Sequence, residues 1–177
     1  CQWGQWPLSG GWLSVMAYEA WRYSGDERLL RAIAPLLRDS ADFYVSLLEE
    51  KDGALILLPS TSPENGYILE GVHCPLDYTT TMTTAIIRDV LQCAAEALEA
   101  LGEDASSYRA ILPRLRPYQV CPDGTLNEWY GVHADWEIHH RHVSHLYGLF
   151  PSNQINETTK ELLEACRKTL EKRGDKS

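Results

Sequence analysis

Apolar positions recur at helical spacing through most of the chain, and the breaks between the runs carry glycine, proline and aspartate. Trp12, Val15, Met16, Ala20 and Tyr23 predict a helix that stops at Ser24-Gly25-Asp26, a glycine stop followed by an aspartate start. A second helix is predicted from Glu27 to Glu49, carrying Leu29, Leu30, Ile33, Leu36, Leu37, Ala41, Tyr44, Leu47 and Leu48 as its apolar positions. Pro35 should kink or divide it, because proline lacks the N–H that a helix interior uses. Asp52-Gly53 reads as a turn, and Ala54 to Leu58 as a short apolar strand. Thr79 to Leu101 predicts the third long helix, carrying Met82, Ile86, Val90, Cys93, Ala94 and Leu98 on one face and stopping at Gly102. Ala105 to Leu115 predicts a shorter helix bounded by Pro113 and Pro117. Glu157 to Arg173 predicts the last, with Leu162, Leu163, Cys166 and Leu170 inward and a solvated charged face. The expected fold class is all-α: helical hairpins arranged as part of a toroid, with functional residues in the connections. No fixed period supports a regular solenoid.

The 177 residues suffice for one domain with a real core. A net charge of −9 argues against a nucleic-acid or anionic-membrane partner, and no apolar run reaches the length of a membrane span. The five cysteines are odd in number and scattered, so neither a disulfide framework nor a zinc knuckle is expected. Cys93 and Cys166 read as small core residues. No signal-peptide pattern opens the chain, which starts without methionine. We expect a segment of a longer protein, whose compartment these residues do not fix.

Two segments carry candidate chemistry. Four of the six histidines, His139, His140, His142 and His145, cluster beside Arg141 and near Trp129, Tyr130 and Trp136. Imidazole, guanidinium and indole edges read hydroxyl groups, while ring faces cover C–H surfaces, so a polyhydroxylated ligand would suit them. Two other readings stay open. The histidines could bond buried carbonyls, or His142 and His145 could hold a metal, though no third ligand stands at a recognised spacing. The second segment is Pro59-Ser60-Thr61-Ser62-Pro63-Glu64-Asn65-Gly66, a stiff polar loop presenting one carboxylate. Desolvation among aromatics would raise its pKa, as a general acid requires. The same residues could instead start a helix, with Ser62 as its cap. The N-terminal Trp3, Trp6 and Trp12, broken by glycines, suit either a sugar platform or a core.

Four segments together resemble glycoside hydrolase family 95. They are Trp3-Gly4-Gln5-Trp6-Pro7-Leu8-Ser9-Gly10-Gly11-Trp12-Leu13, Pro59 to Asn65, Ile87-Arg88-Asp89, and Glu128-Trp129 with His140-Arg141-His142-Val143-Ser144-His145-Leu146-Tyr147-Gly148. The resemblance implies a catalytic domain built as a twelve-helix (α/α) barrel, of which residues 1–177 are a central piece, incomplete at both ends. It implies an inverting α-L-fucosidase acting on terminal, α-1,2-linked fucose of oligosaccharides or glycoconjugates, without metal or organic cofactor. An α-L-galactosidase of the same family, or a non-catalytic carbohydrate-binding helical domain, is the alternative. Glu64 matches the family's general acid; Trp3, Trp6, Glu128, Trp129, Arg141, His142 and His145 match positions around the sugar pocket. The family's base, an aspartate in an Asp-Gly-Asn-Phe-Gly context, and its Asn-x-Asn pair have no counterpart here, so residues 1–177 alone should be inactive. A Thr-Met-Asp segment of many relatives reads Thr81-Met82-Thr83, which bears on substrate preference.

Overall fold

The computed structural model describes residues 6–174, which fall into two compact units. One holds residues 7–57 and 86–116; the other holds residues 58–85 and 117–174 with Trp6. Helix α3 begins in the second and continues into the first.

In the first unit, α1 (Ser9–Ser24) packs on α2 (Glu27–Leu47). Gly11 permits their closest approach: a Cβ there would lie 2.6 Å from the buried Tyr44 ring. The Tyr44 hydroxyl accepts from Gly11 N–H at 3.1 Å and donates to Pro7 O at 2.8 Å. Gly25, at φ 65°, ends α1 as expected, and the Asp26 side chain caps α2 by accepting from Arg28 N–H. Pro35 does not divide α2. It lies on the exposed side, as does Arg31, whose freed carbonyl can be met by water.

The chain is mixed rather than all-α. Among the described residues, five α-helices are joined by two small antiparallel sheets. Helix α2 yields at Leu47 to β1 (Leu48–Lys51), which pairs with β2 (Ala54–Leu57) in the register Leu48↔Leu57. The cause is the two-residue turn: Asp52 and Gly53 both have positive φ, the geometry that matches the twist of paired strands. Helix α3 (Thr81–Ala100) buries Ile86, Ile87, Val90, Leu91, Ala94 and Leu98, and Gly102 at φ 75° follows it. The shorter helix α4 spans Ser106–Ile111, then tightens to a 3-10 turn over Leu112–Arg114 where Pro113 interrupts it. Arg88 donates to Leu112 O and Arg116 O at 3.1 and 3.0 Å, fastening this segment to α3.

In the second unit, β3 (Tyr67–Leu69) pairs with β4 (Val72–Cys74) and with β5 (Ala134–Asp135). Its hairpin turn, Glu70-Gly71, also has two positive φ angles. Helix α5 (Lys160–Arg173) starts later than the periodicity predicts. Asn156 accepts from both the N–H and hydroxyl of Thr158, a local turn that competes with a helical start. Leu126, Leu146, Ile155, Ala165 and Cys166 form the core beneath.

Candidate active site

The Ser62–Asn65 segment is a turn and does not start a helix; Asn65 N–H closes it onto Ser62 O at 3.2 Å. The positive φ falls on Glu64 itself, at 54°, a conformation that disfavours a side chain with a Cβ. Its neighbours hold it there. The ring nitrogen Nδ1 of buried His140 accepts from His142 N–H at 3.1 Å, so its proton sits on Nε2, which donates to Glu64 O at 2.9 Å. The Glu64 carboxylate is half exposed. Its Oε2 pairs with Arg141 and lies 2.9 Å from His142 Nε2. Among the described residues Oε1 takes no hydrogen bond. The His142 hydrogen bond, with Arg141 beside it, holds the Glu64 carboxyl below its usual range. The elevation expected from desolvation is absent, because the carboxylate is too exposed and too well paired.

A second carboxylate lies beneath this loop. Glu128 is 6% exposed, and its oxygens accept from Ser62 Oγ at 2.5 Å and from Asn65 Nδ2 at 3.0 and 3.1 Å, the residues that bracket Glu64. Arg173, from the last turn of α5 and 7% exposed, donates to Glu128 Oε2 at 2.7 Å and to Glu137 O at 2.8 Å. It therefore ties the Glu128 clamp to the segment that leads into His140. Burial alone would raise the Glu128 pKa; Arg173 and the hydrogen bonds from Ser62 and Asn65, joined by His145 only when that ring is protonated, outweigh it and keep the group ionised. Burial pushes His145 down, only partly opposed by Glu128, so its ring is neutral at neutral pH and Arg173 is the countercharge. His145 Nδ1 stands 3.6 Å from Glu128 Oε2, beyond hydrogen-bond range, with no other partner among the described residues.

The backbone around Glu128 is fixed from α3. Thr81 N–H donates to Glu128 O at 3.0 Å, and Thr81 Oγ1 to Asn127 O at 2.6 Å. Thr83 bonds Ser60 Oγ at 2.6 Å within a buried hydroxyl cluster with Thr80.

His142 and His145 thus reach different carboxylates and do not converge. Among the described residues no three His, Cys, Asp or Glu side chains could hold a metal ion, and no helix is long and apolar enough to cross a membrane. Trp129 is buried against Tyr67, with ring centroids 5.0 Å apart. Trp6 is half-buried, and Trp3 lies outside the described residues. A cavity of about 270 Å³ opens behind Glu128, lined by Trp129, His145 and Arg173 among others but not by Glu64.

Sequence reasoning missed Arg173, whose charge was assigned to the solvated face of α5. The signal existed: the buried positions Ala165, Cys166, Thr169 and Arg173 follow helical spacing, which puts Arg173 on the inward stripe. His140 belonged to the cluster, but nothing local announces that it holds Glu64.

The sequence model of the glycosyl hydrolase family 95 catalytic domain matches residues 1–177. The chain is 38% identical over 181 aligned residues to a protein named alpha-L-fucosidase 2 from Arabidopsis thaliana, covering 98% of this chain and 22% of that protein. It is 28% identical over 189 residues to one named probable alpha-fucosidase A from Aspergillus niger, covering 98% and 23%. It therefore spans about a fifth of the length of these relatives. On the match along its whole length, the chain belongs to glycosyl hydrolase family 95 and forms part of that family's catalytic domain.

Proposed function

We propose that this chain supplies the acid side of an inverting α-L-fucosidase site, with Glu64 as the general acid. Glu64 passes its proton to the glycosidic oxygen of a terminal, α-1,2-linked fucosyl residue, and the leaving sugar departs as an alcohol. A water held by a base on the opposite face attacks C1 and gives its proton to that base, releasing β-L-fucose. One carboxylate cannot serve both faces, since inverting pairs stand about 6.5–9.5 Å apart to admit the water. The base aspartate and its asparagine pair belong to other parts of a longer catalytic domain, so residues 1–177 alone are inactive.

The observation that carries this reading is the mounting of Glu64. Its backbone is held by His140, its flanking residues by Glu128, and its Oε2 by Arg141 and His142, while Oε1 takes no hydrogen bond among the described residues. That is a fixed carboxylate with one oxygen available. Seating a sugar against it removes water from a half-exposed group, and desolvation raises the pKa that its partners depress in the free state. Arg141 and His142 also remain within reach of substrate hydroxyls.

The exposed apolar side chains Leu13 and Met16 of α1, and Leu36 and Phe43 of α2, support placing these helices in an (α/α) barrel that further helices complete. The test is proton NMR of 2′-fucosyllactose with the full-length enzyme that carries this segment. Initial release of β-L-fucose, abolished by Glu64→Gln, is the expected result. Initial release of the α-anomer would overturn inversion, and unchanged turnover by Glu64→Gln would overturn the role of Glu64.

A further inference from the structure

A third buried carboxylate stands between the Glu64 turn and the segment that bears Glu128. The Asp77 side chain is 6% exposed. Its Oδ1 accepts from Tyr78 N–H at 2.7 Å, and its Oδ2 from Tyr130 N–H at 2.8 Å, just beyond Glu128 in the chain. The rings of those two tyrosines meet edge to face, with centroids 5.3 Å apart. The Asp77 backbone pairs with Ser60 in both directions: Ser60 N–H donates to Asp77 O and Asp77 N–H to Ser60 O, each at 2.9 Å. The residues before it hold the same turn. Pro75 O accepts from Thr61 Oγ1 at 2.9 Å, and Leu76 O from the Tyr67 hydroxyl at 3.0 Å. The Tyr67 ring is stacked on His133, with centroids 4.0 Å apart, and His133 Nε2 lies 3.6 Å from Asp77 Oδ2. Both ends of the turn that carries Glu64 thus rest on residues 75–77, and the Asp77 carboxylate carries that support across to the chain that bears Glu128.

We infer that Asp77 is a positioning residue, which fixes the offset between the Glu64 turn and the Glu128 clamp and so aims the acid at the leaving oxygen. This rests on the fucosidase reading above. Both Asp77 oxygens are buried and engaged by backbone N–H groups, so Asp77 acts through the turn and not by touching substrate. Ser62 and Asn65 anchor the turn at the Glu128 carboxylate, and that anchor is only as fixed as the chain that carries it. A backbone N–H bonded to an ionised carboxylate is about twice as strong as a neutral pair, and in a buried place water does not replace it. Proton transfer to a leaving oxygen depends steeply on placement, since an error of about 1 Å can cost about 100-fold.

The test compares two substrates of the full-length enzyme. 2′-Fucosyllactose must give up a sugar oxygen, which leaves as the alcohol once Glu64 protonates it. α-L-Fucosyl fluoride gives up fluoride ion, which departs with its electron pair and needs no proton. Asp77→Ala should lower kcat on the trisaccharide about 10- to 100-fold with KM within about twofold, and should lower kcat on the fluoride about five times less or better. Asp77→Asn keeps the shape and one acceptor oxygen. It should show the same split at smaller size, and it serves where Asp77→Ala does not fold. An equal fall on both substrates overturns the positioning role, since a damaged fold or a lost sugar contact would strike both. No fall on either, or a rise in KM at constant kcat, overturns it as well, and each of these outcomes leaves the fucosidase reading intact. A wild-type enzyme that cleaves neither substrate overturns that reading, and the positioning role with it.

Discussion

Glu64 and Glu128 are each faced by one arginine and one histidine, in the same unit and on the same loop system, yet their surroundings differ. Glu64 is half exposed, and its partners gather on one oxygen. Glu128 is sealed, and both oxygens are engaged by Ser62, Asn65 and Arg173. A carboxylate with every acceptor site occupied has no free oxygen to carry a proton that it could donate to substrate. One with an open oxygen does. Residue type and motif membership mark the two glutamates alike; saturation separates them.

The largest effects should split along that line. Glu64→Gln should reduce turnover by about 10²–10⁴-fold, the usual worth of a positioned acid, without moving the unfolding midpoint. Arg173→Met should do the reverse in kind: it leaves Glu128 buried without a countercharge, at a cost of about 3–5 kcal/mol. The full-length enzyme should show this as a lower midpoint in thermal unfolding. Adding Glu128→Gln should restore part of that loss, since the amide can still bond Ser62 and needs no cation. If the double variant is no better than Arg173→Met alone, charge burial is not the source of the cost.

These predictions lean on contacts that the sequence displays unevenly. The three long helices were legible because their buried positions repeat at helical spacing and because Gly25 and Gly102 end two of them. Among the strands β2 was legible too, as the apolar run Ala54 to Leu58, but its partner β1 and the strands β3, β4 and β5 were not. Leu48–Lys51 continues the composition of α2, and only the conformation of Asp52-Gly53 turns it into a hairpin arm. Glu70-Gly71 does the same for β3 and β4, in a segment too short to show alternation. The positive φ of Glu64 was illegible for another reason: it is fixed by His140, 76 residues away. Local preference alone would put such an angle on Asn65 or Gly66. Arg173 was legible by its spacing but masked by its type, since a terminal-turn arginine usually meets water.

A smaller effect tests whether Glu128 works through the loop. Asn65→Ala removes the amide that reaches both Glu128 oxygens, and Ser62→Ala removes a single hydroxyl. Each should cost about 1–3 kcal/mol of stability, because a buried acceptor loses its partner. Both should also lower kcat on 2′-fucosyllactose with little change in KM, since a loosened turn misplaces the acid. A loss of stability with unchanged kcat would make the clamp structural only.

The smallest effect is the most discriminating for Glu64, because it reads a titration. Only the protonated acid can donate, so kcat/KM falls as pH rises through the Glu64 pKa of the free enzyme. His142 and Arg141 hold that pKa below the ordinary glutamate value. Removing the Arg141 charge with Arg141→Gln removes one of the two depressing partners. The alkaline limb of kcat/KM should then move to higher pH, even if the plateau falls because the guanidinium also contacts substrate. The corresponding limb of kcat should already lie higher in the wild type, since bound sugar excludes water from the carboxyl. A shift in the opposite direction, or none, would mean that the titrating acid is not Glu64, and its resemblance to Glu128 would then extend to a purely structural role.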